Sequence, residues 1–449
     1  MTNNYDLTKG SISKLIKQIA LPASIGFFFN TMYNVVDTFY AGLISTEALS
    51  ALSITFPIFF IIIALGAGMG TGTTALIANA LGANQNKKAK LYSIQAISLG
   101  IFIGIMASIL GILFSPFLFG ILGATGSYLE LALSYINIIF LSGVFFILTF
   151  ILNGILNAHG DTKSFRNYLI IGFFLNLILN PLFMFGWGII KPFGIKGIAI
   201  ATLIIELIGT IYMLYRVYNL VFKELKIKPN LFPNLNCYYK LIKQGLPASL
   251  NMMTVALGIF IITYYISQFS NEAVAAYGIA IRIEQIVLLP TIGLNFATLA
   301  LVGQNNGAKK FNRVKKSIFL VLKYGLIIMT IGTILLILFS ENLLSIFTND
   351  ETVIRIGVEY LKFAAFLTWA YALLHSCVSA LQGLKKPMFA LWLGIYRQIV
   401  GPLLLFPFLA ITLSLGLYGI WWGIFIITWS GAIFTYIYLI SYLKRISIK

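Results

Sequence analysis

The sequence predicts an all-α polytopic membrane protein with twelve transmembrane helices in two parallel six-helix repeats and both termini cytoplasmic. Three observations predict it. Of the 449 residues, 59% are hydrophobic and only 10% are charged, whereas a soluble domain runs near one quarter charged. Twelve apolar runs follow one another, each long enough for about 30 Å of hydrocarbon. A stretch near the start also returns 225 residues later.

The runs fall at about 15–43, 48–81, 91–119, 128–156, 167–189, 197–222, 241–268, 273–302, 317–340, 353–382, 388–413 and 417–443. All are read as helices, because a helix satisfies its own backbone polar groups in lipid. The first 14 residues are polar. The apolar run after them is too long for a signal peptide's core and lacks a small-residue cleavage site, so it is read as a retained span.

Charge tests the count. The two termini and loops 2–3, 4–5, 6–7, 8–9 and 10–11 carry 24 of the 31 basic residues. The opposite face carries Lys191 and Lys196, together with Glu47, Glu272, Glu341, Asp350 and Glu351. By the positive-inside rule the termini are cytoplasmic, which also accounts for the net charge of +18 without nucleic acid. Two cysteines, Cys237 and Cys377, exclude a disulfide scaffold.

The repeat sets the domain plan. LPAS at 21–24 recurs at 246–249, and residues 21–83 against 246–308 give 19 identities in 63 ungapped pairs. Later matches are looser: NAHGDTKSF (157–165) with ALQGLKKPM (380–388), and GIKGIAIA (194–201) with GLYGIWWG (416–423). Lobes are therefore expected at 1–222 and 240–449, joined by the polar, proline-containing linker 223–239. Duplicated bundles of this kind place a substrate site near the midplane and work by alternating access.

Ionisable groups inside a bilayer are costly and default to functional candidates. Span 1 carries Asn30, Asn34 and Asp37 at i, i+4 and i+7, one helix face. Span 5 carries Asn176 and Asn180 four residues apart, and span 6 carries Thr202 and Glu206 with the same spacing. Turned towards one another, these stripes make a cage of carboxylate, amide and hydroxyl oxygens, suited to a hard cation or to a protonating carboxyl. The plain alternative is that they only bond helices together. In the second half Ile262 stands where the repeat would put an acid matching Asp37. Arg282 and Glu284, Glu359 and Lys362, and Arg397 lie there instead, read as internal ion pairs or, for the acids, as contacts to a cationic substrate. Pro22, Pro57 and Pro247 kink their helices, and Tyr33 and Phe29 flank the Asp37 stripe as candidate cavity aromatics. His159 reads as a solvated loop residue and His375 as a helix-bonding one. With no further His or Cys cluster, a metal centre is not expected.

Taken in order, Pro22 fifteen residues before the Asp of NVVDTFYAG (34–42), the Gly-Ala pairs at 82–83 and 307–308, the HGDTK loop and LNLILNPLFMFG (175–186) resemble the MATE (multidrug and toxic compound extrusion) family. The resemblance covers essentially the whole chain. It implies a secondary antiporter of the plasma membrane that expels organic, often cationic, compounds in exchange for Na+ or H+, with no cofactor and no enzymatic activity, acting as a monomer. The family's N-lobe cation site maps onto Asp37, Asn176, Asn180 and Thr202, with Asn34 and Glu206 as additional polar candidates and Pro22 as a hinge. Many relatives carry a second Asp where this chain has Asn180, so proton sharing between two aspartates is in doubt here, while an amide oxygen still serves a monovalent cation. A lipid-linked or polysaccharide flippase of the wider superfamily is the runner-up. Intramembrane enzymes would need Asp-rich loops, metal motifs or a Ser/His dyad, none of which stands in the sequence.

Overall fold

In the computed structural model of the chain, which describes residues 6–121, 123–223 and 231–448, the two longest helices open on a serine 225 residues apart. Ser45 precedes α2 (Thr46–Gly82) and Ser270 precedes α9 (Asn271–Gly307); each side chain accepts the backbone N–H three residues on, at 3.0 Å. Glu47 and Glu272 sit in the two first turns, where a negative charge meets the positive end of the helix dipole. Both helices end in a left-handed residue at the same offset, Asn84 and Lys309, each at φ 56°. The duplication is thus built into caps and turns as well as spans.

The remaining helices are α1 (Ile12–Ile44), α3 (Asn86–Ile121), α4 (Gly126–Leu141), α5 (Gly143–Ala158), α6 (Lys163–Phe185), α7 (Ile195–Val217), α8 (Leu235–Ser267), α10 (Phe311–Ser345), α11 (Glu351–Gly383), α12 (Pro387–Ile395), α13 (Gly401–Phe406) and α14 (Gly416–Ile448). Among the described residues eleven segments are long and apolar enough to cross a membrane, and α4 with α5, bent by 45°, makes a twelfth when taken as one span. The bend has a local cause. Ser142 turns its hydroxyl onto the Ile139 carbonyl at 2.6 Å, and Gly143 follows it; a Ser/Gly pair is where a helix ladder gives way. Segments of π-helix continue α7 (Tyr218–Phe222) and join α12, α13 and the residues after them (Tyr396–Val400, Pro407–Thr412). Residues 224–230 of the expected linker lie outside the described residues.

Two expectations need correction. The fifth apolar run ends as a helix at Phe185, not at 189: Gly186 at φ 78° stops it, and Trp187 and Ile190 close a tight turn on each other's backbone. The loop match of Gly160 with Gly383 is also displaced. Gly160 and Lys385 are the left-handed pair, with identical turn hydrogen bonds from 160 and 161 and from 385 and 386, so the backbone keeps the 225-residue offset there.

Two compact units make up the described chain, one containing Ile25–Ser249 and the other Leu7–Ser24 with Leu250–Lys449. Helices α1 and α8 therefore divide after Ser24 and Ser249, in each case two residues beyond the proline of the LPAS motif. Helix α1 runs unbroken through Pro22.

Within the first unit, glycines set the helix spacing. A Cβ on Gly154 of α5 would stand 2.3 Å from the Gly70 carbonyl oxygen of α2, and Thr74 donates to the Gly154 carbonyl at 2.9 Å. A Cβ on Gly72 would stand 2.5 Å from the Gly245 nitrogen of α8. Small residues let backbones approach where lipid supplies no hydrophobic drive between helices. The second unit centres on Trp421, fully buried, with Tyr277 and Tyr360 packed on its ring at 6.2 and 4.8 Å.

Candidate functional site

Helix α6 presents one face to the interior of its unit. Tyr168, Gly172, Asn176 and Asn180 recur every four residues, and all are buried. Opposite Asn176 and Asn180 stands Asp37 of α1, which is 8% exposed. Both amide nitrogens donate to the same oxygen, Asp37 Oδ1, at 2.8 Å each. Asn180 Nδ2 also donates to Asn176 Oδ1 at 3.2 Å, while Asn180 Oδ1 is buried without a partner among the described residues.

Thr202 and Glu206 lie on α7, on one face. The Tyr33 hydroxyl, one turn before Asp37, donates to Thr202 Oγ1 at 3.1 Å. Thr202 thereby joins the Asp37 group through Tyr33, a link that the sequence signalled only as an aromatic beside the stripe. Glu206 accepts the Tyr168 hydroxyl on Oε1 at 2.5 Å. Tyr168 escaped the sequence reading, although its spacing of eight and twelve residues from the two asparagines marks the same helix face.

The other candidates lie apart from this group. Asn34 is exposed and donates to its own helix, at the Asn30 carbonyl. In the second unit Glu284 is buried and accepts the Tyr360 hydroxyl at 2.8 Å. Arg282 is exposed, Glu359 is half-buried beside Tyr418, and Arg397 lies over the Tyr371 ring at 5.4 Å. Among the described residues, none of these three acids and bases forms an ion pair within 4 Å; Arg216 does so with Asp161, at 3.2 Å, where α7 meets the loop before α6. His375 stacks on Tyr371 at 5.7 Å. His159 is buried where solvent was expected; its Nδ1 lies 2.9 Å from the Ile155 carbonyl, because the turn after α5 folds the ring back along its own helix. Burial lowers its pKa from the usual imidazole value, against the opposing pull of the Ile155 carbonyl and Asp161.

The chemistry follows from the donor set. An amide carries an acceptor oxygen and a donor nitrogen on one terminal carbon. With both nitrogens inward, the group serves an anionic Asp37. Half-turns of the two amides would exchange nitrogen for oxygen, and the same four side chains would then offer carboxylate, amide and hydroxyl oxygens, the ligands of a hard cation. Asn180 Oδ1, which already lacks a partner, costs least to re-aim.

The MatE family model matches residues 22–182 and again 247–406, its second match opening at the 225-residue offset. A protein named FAD transporter from Shewanella oneidensis is 29% identical over 419 residues, 92% of this chain and 90% of the relative. The multidrug export protein MepA of Staphylococcus aureus is 28% identical over 359 residues, 80% of this chain and 78% of the relative. Among solved structures, a MATE protein in complex with MaL6 superposes with a TM-score of 0.91 at 25% identity over the full length of both chains. An outward-facing MATE family multidrug resistance transporter superposes with a TM-score of 0.92 at 24% identity.

Proposed function

The chain belongs to the MATE family of multi-pass membrane transporters and is not an enzyme, and on that premise we propose that it is a secondary antiporter exporting organic compounds. In this reading a monovalent cation, Na+ or H+, exchanges at Asp37, Asn176, Asn180 and Thr202 during alternating access. The observation that carries it is Asp37 itself: a buried acid held only by re-orientable amides, with no lysine or arginine paired to it among the described residues. A purely structural carboxylate would be matched by fixed charge; one that exchanges an ion needs neighbours able to serve it with and without that ion. The 24 basic residues on one side of the span plan support cytoplasmic termini in a plasma membrane.

For the substrate, the multidrug export named for the Staphylococcus aureus relative supports organic compounds of varied structure, which we take to be cationic. A second reading, an aromatic anion such as a flavin nucleotide, is favoured by the FAD transporter, whose similarity spans more of both chains. Uptake of ethidium into inside-out proteoliposomes under separate Na+ and H+ gradients, with FAD as competitor, tests all of this. Uptake driven by one gradient identifies the ion. Ethidium ignored and FAD carried selects the second reading; neither carried under either gradient sinks the exporter reading and brings a flippase assay forward.

A further inference from the structure

Beyond the Asp37 group the first unit holds another intramembrane acid, Glu206, whose bond from α7 to α6 occupies one of its two oxygens. It is 7% exposed. Oε1 takes the Tyr168 hydroxyl, while Oε2 is buried with no partner among the described residues. The Tyr168 ring reaches Oε1 only because α7 offers a notch: a Cβ on Gly209 would stand 2.1 Å from its Cε2. Thr149 of α5 and Thr210 of α7 share a hydrogen bond of 3.0 Å, and Thr210 also donates to the Phe145 carbonyl. Thr210 is thus held to Thr149 and to backbone, and Thr149 stands near enough to the Glu206 carboxyl to interact with it, beyond the distance of a formed hydrogen bond.

Among the described residues no lysine or arginine forms an ion pair with this carboxyl. From α1 come Tyr33, through Thr202, and beyond it Asp37. Helix α4 contributes Tyr135, on the Asp37 side, and α6 contributes Tyr168. Helix α5 contains no ionisable residue. Arg166, near the start of α6, turns its guanidinium onto Asn167, and Arg216, ten residues along α7, is engaged by Asp161 and Ser164. A buried carboxylate with one oxygen unserved and no counter-charge is unfavourable, and a single O–H bond on that oxygen removes the charge. A metal ion would need several more oxygens than the tyrosine-capped pair supplies.

We propose that Glu206 is a second ion-exchanging carboxyl of this transporter, binding and releasing a proton on Oε2 beneath the Tyr168 hydroxyl, independently of the Asp37 cage. The step makes and breaks one O–H bond, with water as the proton's source and sink. It rests on the transporter reading for its use, though not for its chemistry: Tyr168 is the positioning residue, and the Tyr33–Thr202 hydrogen bond lies between the two acids without bonding to Glu206.

The test labels the purified full chain with a hydrophobic carbodiimide, which attacks protonated buried carboxyls, over a range of pH, and reads Glu206 by peptide mass spectrometry. Labelling should titrate, vanish in Glu206→Gln, persist in Asp37→Asn, and change its midpoint by about one to two pH units in Tyr168→Phe, the worth of a hydrogen bond to a charged group. Infrared difference spectra against pH, with the carboxyl band assigned by its loss in Glu206→Gln, read the same proton without depending on reagent access. A Glu206 that neither labels nor gives a titrating band overturns the proposal. So does a reversal-potential measurement with ethidium in which Glu206→Gln keeps the wild-type number of protons per substrate; the proposal expects one fewer. Loss of all ethidium transport with Glu206 titration intact counts instead against the exporter reading.

Discussion

Replacing Asp37 separates the structural role of the cage from its ionic one, because asparagine and alanine remove different things. Asp37→Ala takes away the acceptor for two buried amide donors at 2.8 Å. Asn180 keeps its bond to Asn176, but Asn176 Nδ2 loses its acceptor inside a site that excludes water. At about 1–3 kcal/mol for a buried donor left unserved, the alanine variant should lose at least roughly 1–3 kcal/mol. Asp37→Asn keeps an acceptor oxygen at nearly the same place. Two charge-assisted bonds become neutral ones, a loss of roughly 1 kcal/mol each, offset by the relief of burying a charge. The asparagine variant should therefore melt close to wild type in detergent, and the alanine variant clearly below it. Ion-driven exchange should fall well below wild type in both, since neither carries an ionisable group at 37 and only the share coupled through Glu206 would be left. Gradient-driven ethidium uptake at the wild-type rate in Asp37→Asn would refute the ionic role. Equal melting of the two variants would refute the hydrogen-bond argument even if uptake failed.

Other substitutions probe the scaffold. Gly72→Leu puts carbon into a space where even a Cβ would stand 2.5 Å from the Gly245 backbone nitrogen; overpacking by at least about 1–3 kcal/mol should lower the detergent melting temperature, whereas Gly42→Leu, with open space around its Cβ, should leave it unchanged. Ser45→Ala and Ser270→Ala each remove a capping oxygen and should cost about 1 kcal/mol, with similar losses for the two because the caps share one geometry. His159 gives a pH signature. Its pKa is lowered by burial, so the folded turn prefers the neutral ring and its stability is complete above the ordinary value of about 6.5. That stability is lost as pH falls below about 6.5, because the opened turn takes up a proton more readily. Hydrogen-exchange protection factors in the turn after α5, with the pH dependence of intrinsic exchange divided out, should fall from pH 7 to pH 5 in the wild type and much less in His159→Gln; an equal fall in both would show that another group carries the effect.

The spans were legible because hydropathy and the Lys/Arg distribution report on the same plan independently, and lipid permits few other backbones. The stripe rule worked where a helix buries a whole face, as α6 does with Asn176 and Asn180, and missed where it does not. On α1, Asn34 shares the heptad geometry of Asp37 yet stands exposed, bonded to its own helix. Spacing fixes which residues share a face, but not whether that face meets a neighbour. Tyr168 and Tyr33 were harder to single out for a different reason. Tyrosine is abundant in this chain, 23 in all, and its apolar ring hides the hydroxyl that decides its role. The useful signal was position relative to a buried acid or amide, not residue type.

The two halves also show why a duplication transmits scaffold more faithfully than chemistry. Ser45 and Ser270, Glu47 and Glu272, Asn84 and Lys309, and Gly160 and Lys385 all hold matching places, because a cap or a left-handed turn is specified by backbone geometry that both copies need to enter and leave the membrane. A buried acid is specified by partners drawn from other helices, and those drift separately. Ile262 faces no cage where Asp37 faces one, and the second unit's own buried acid, Glu284 with Tyr360, joins α9 to α11 instead of repeating Glu206 with Tyr168 on α7 and α6. Each unit has converged on a glutamate capped by a tyrosine hydroxyl with its second oxygen unserved among the described residues. The match of 194–201 with 416–423 carries Glu206 to Thr428, and the 225-residue offset carries Tyr168 to Leu393, so neither member of the first pair has its counterpart in the second, and the resemblance between the two pairs was not inherited through the duplication.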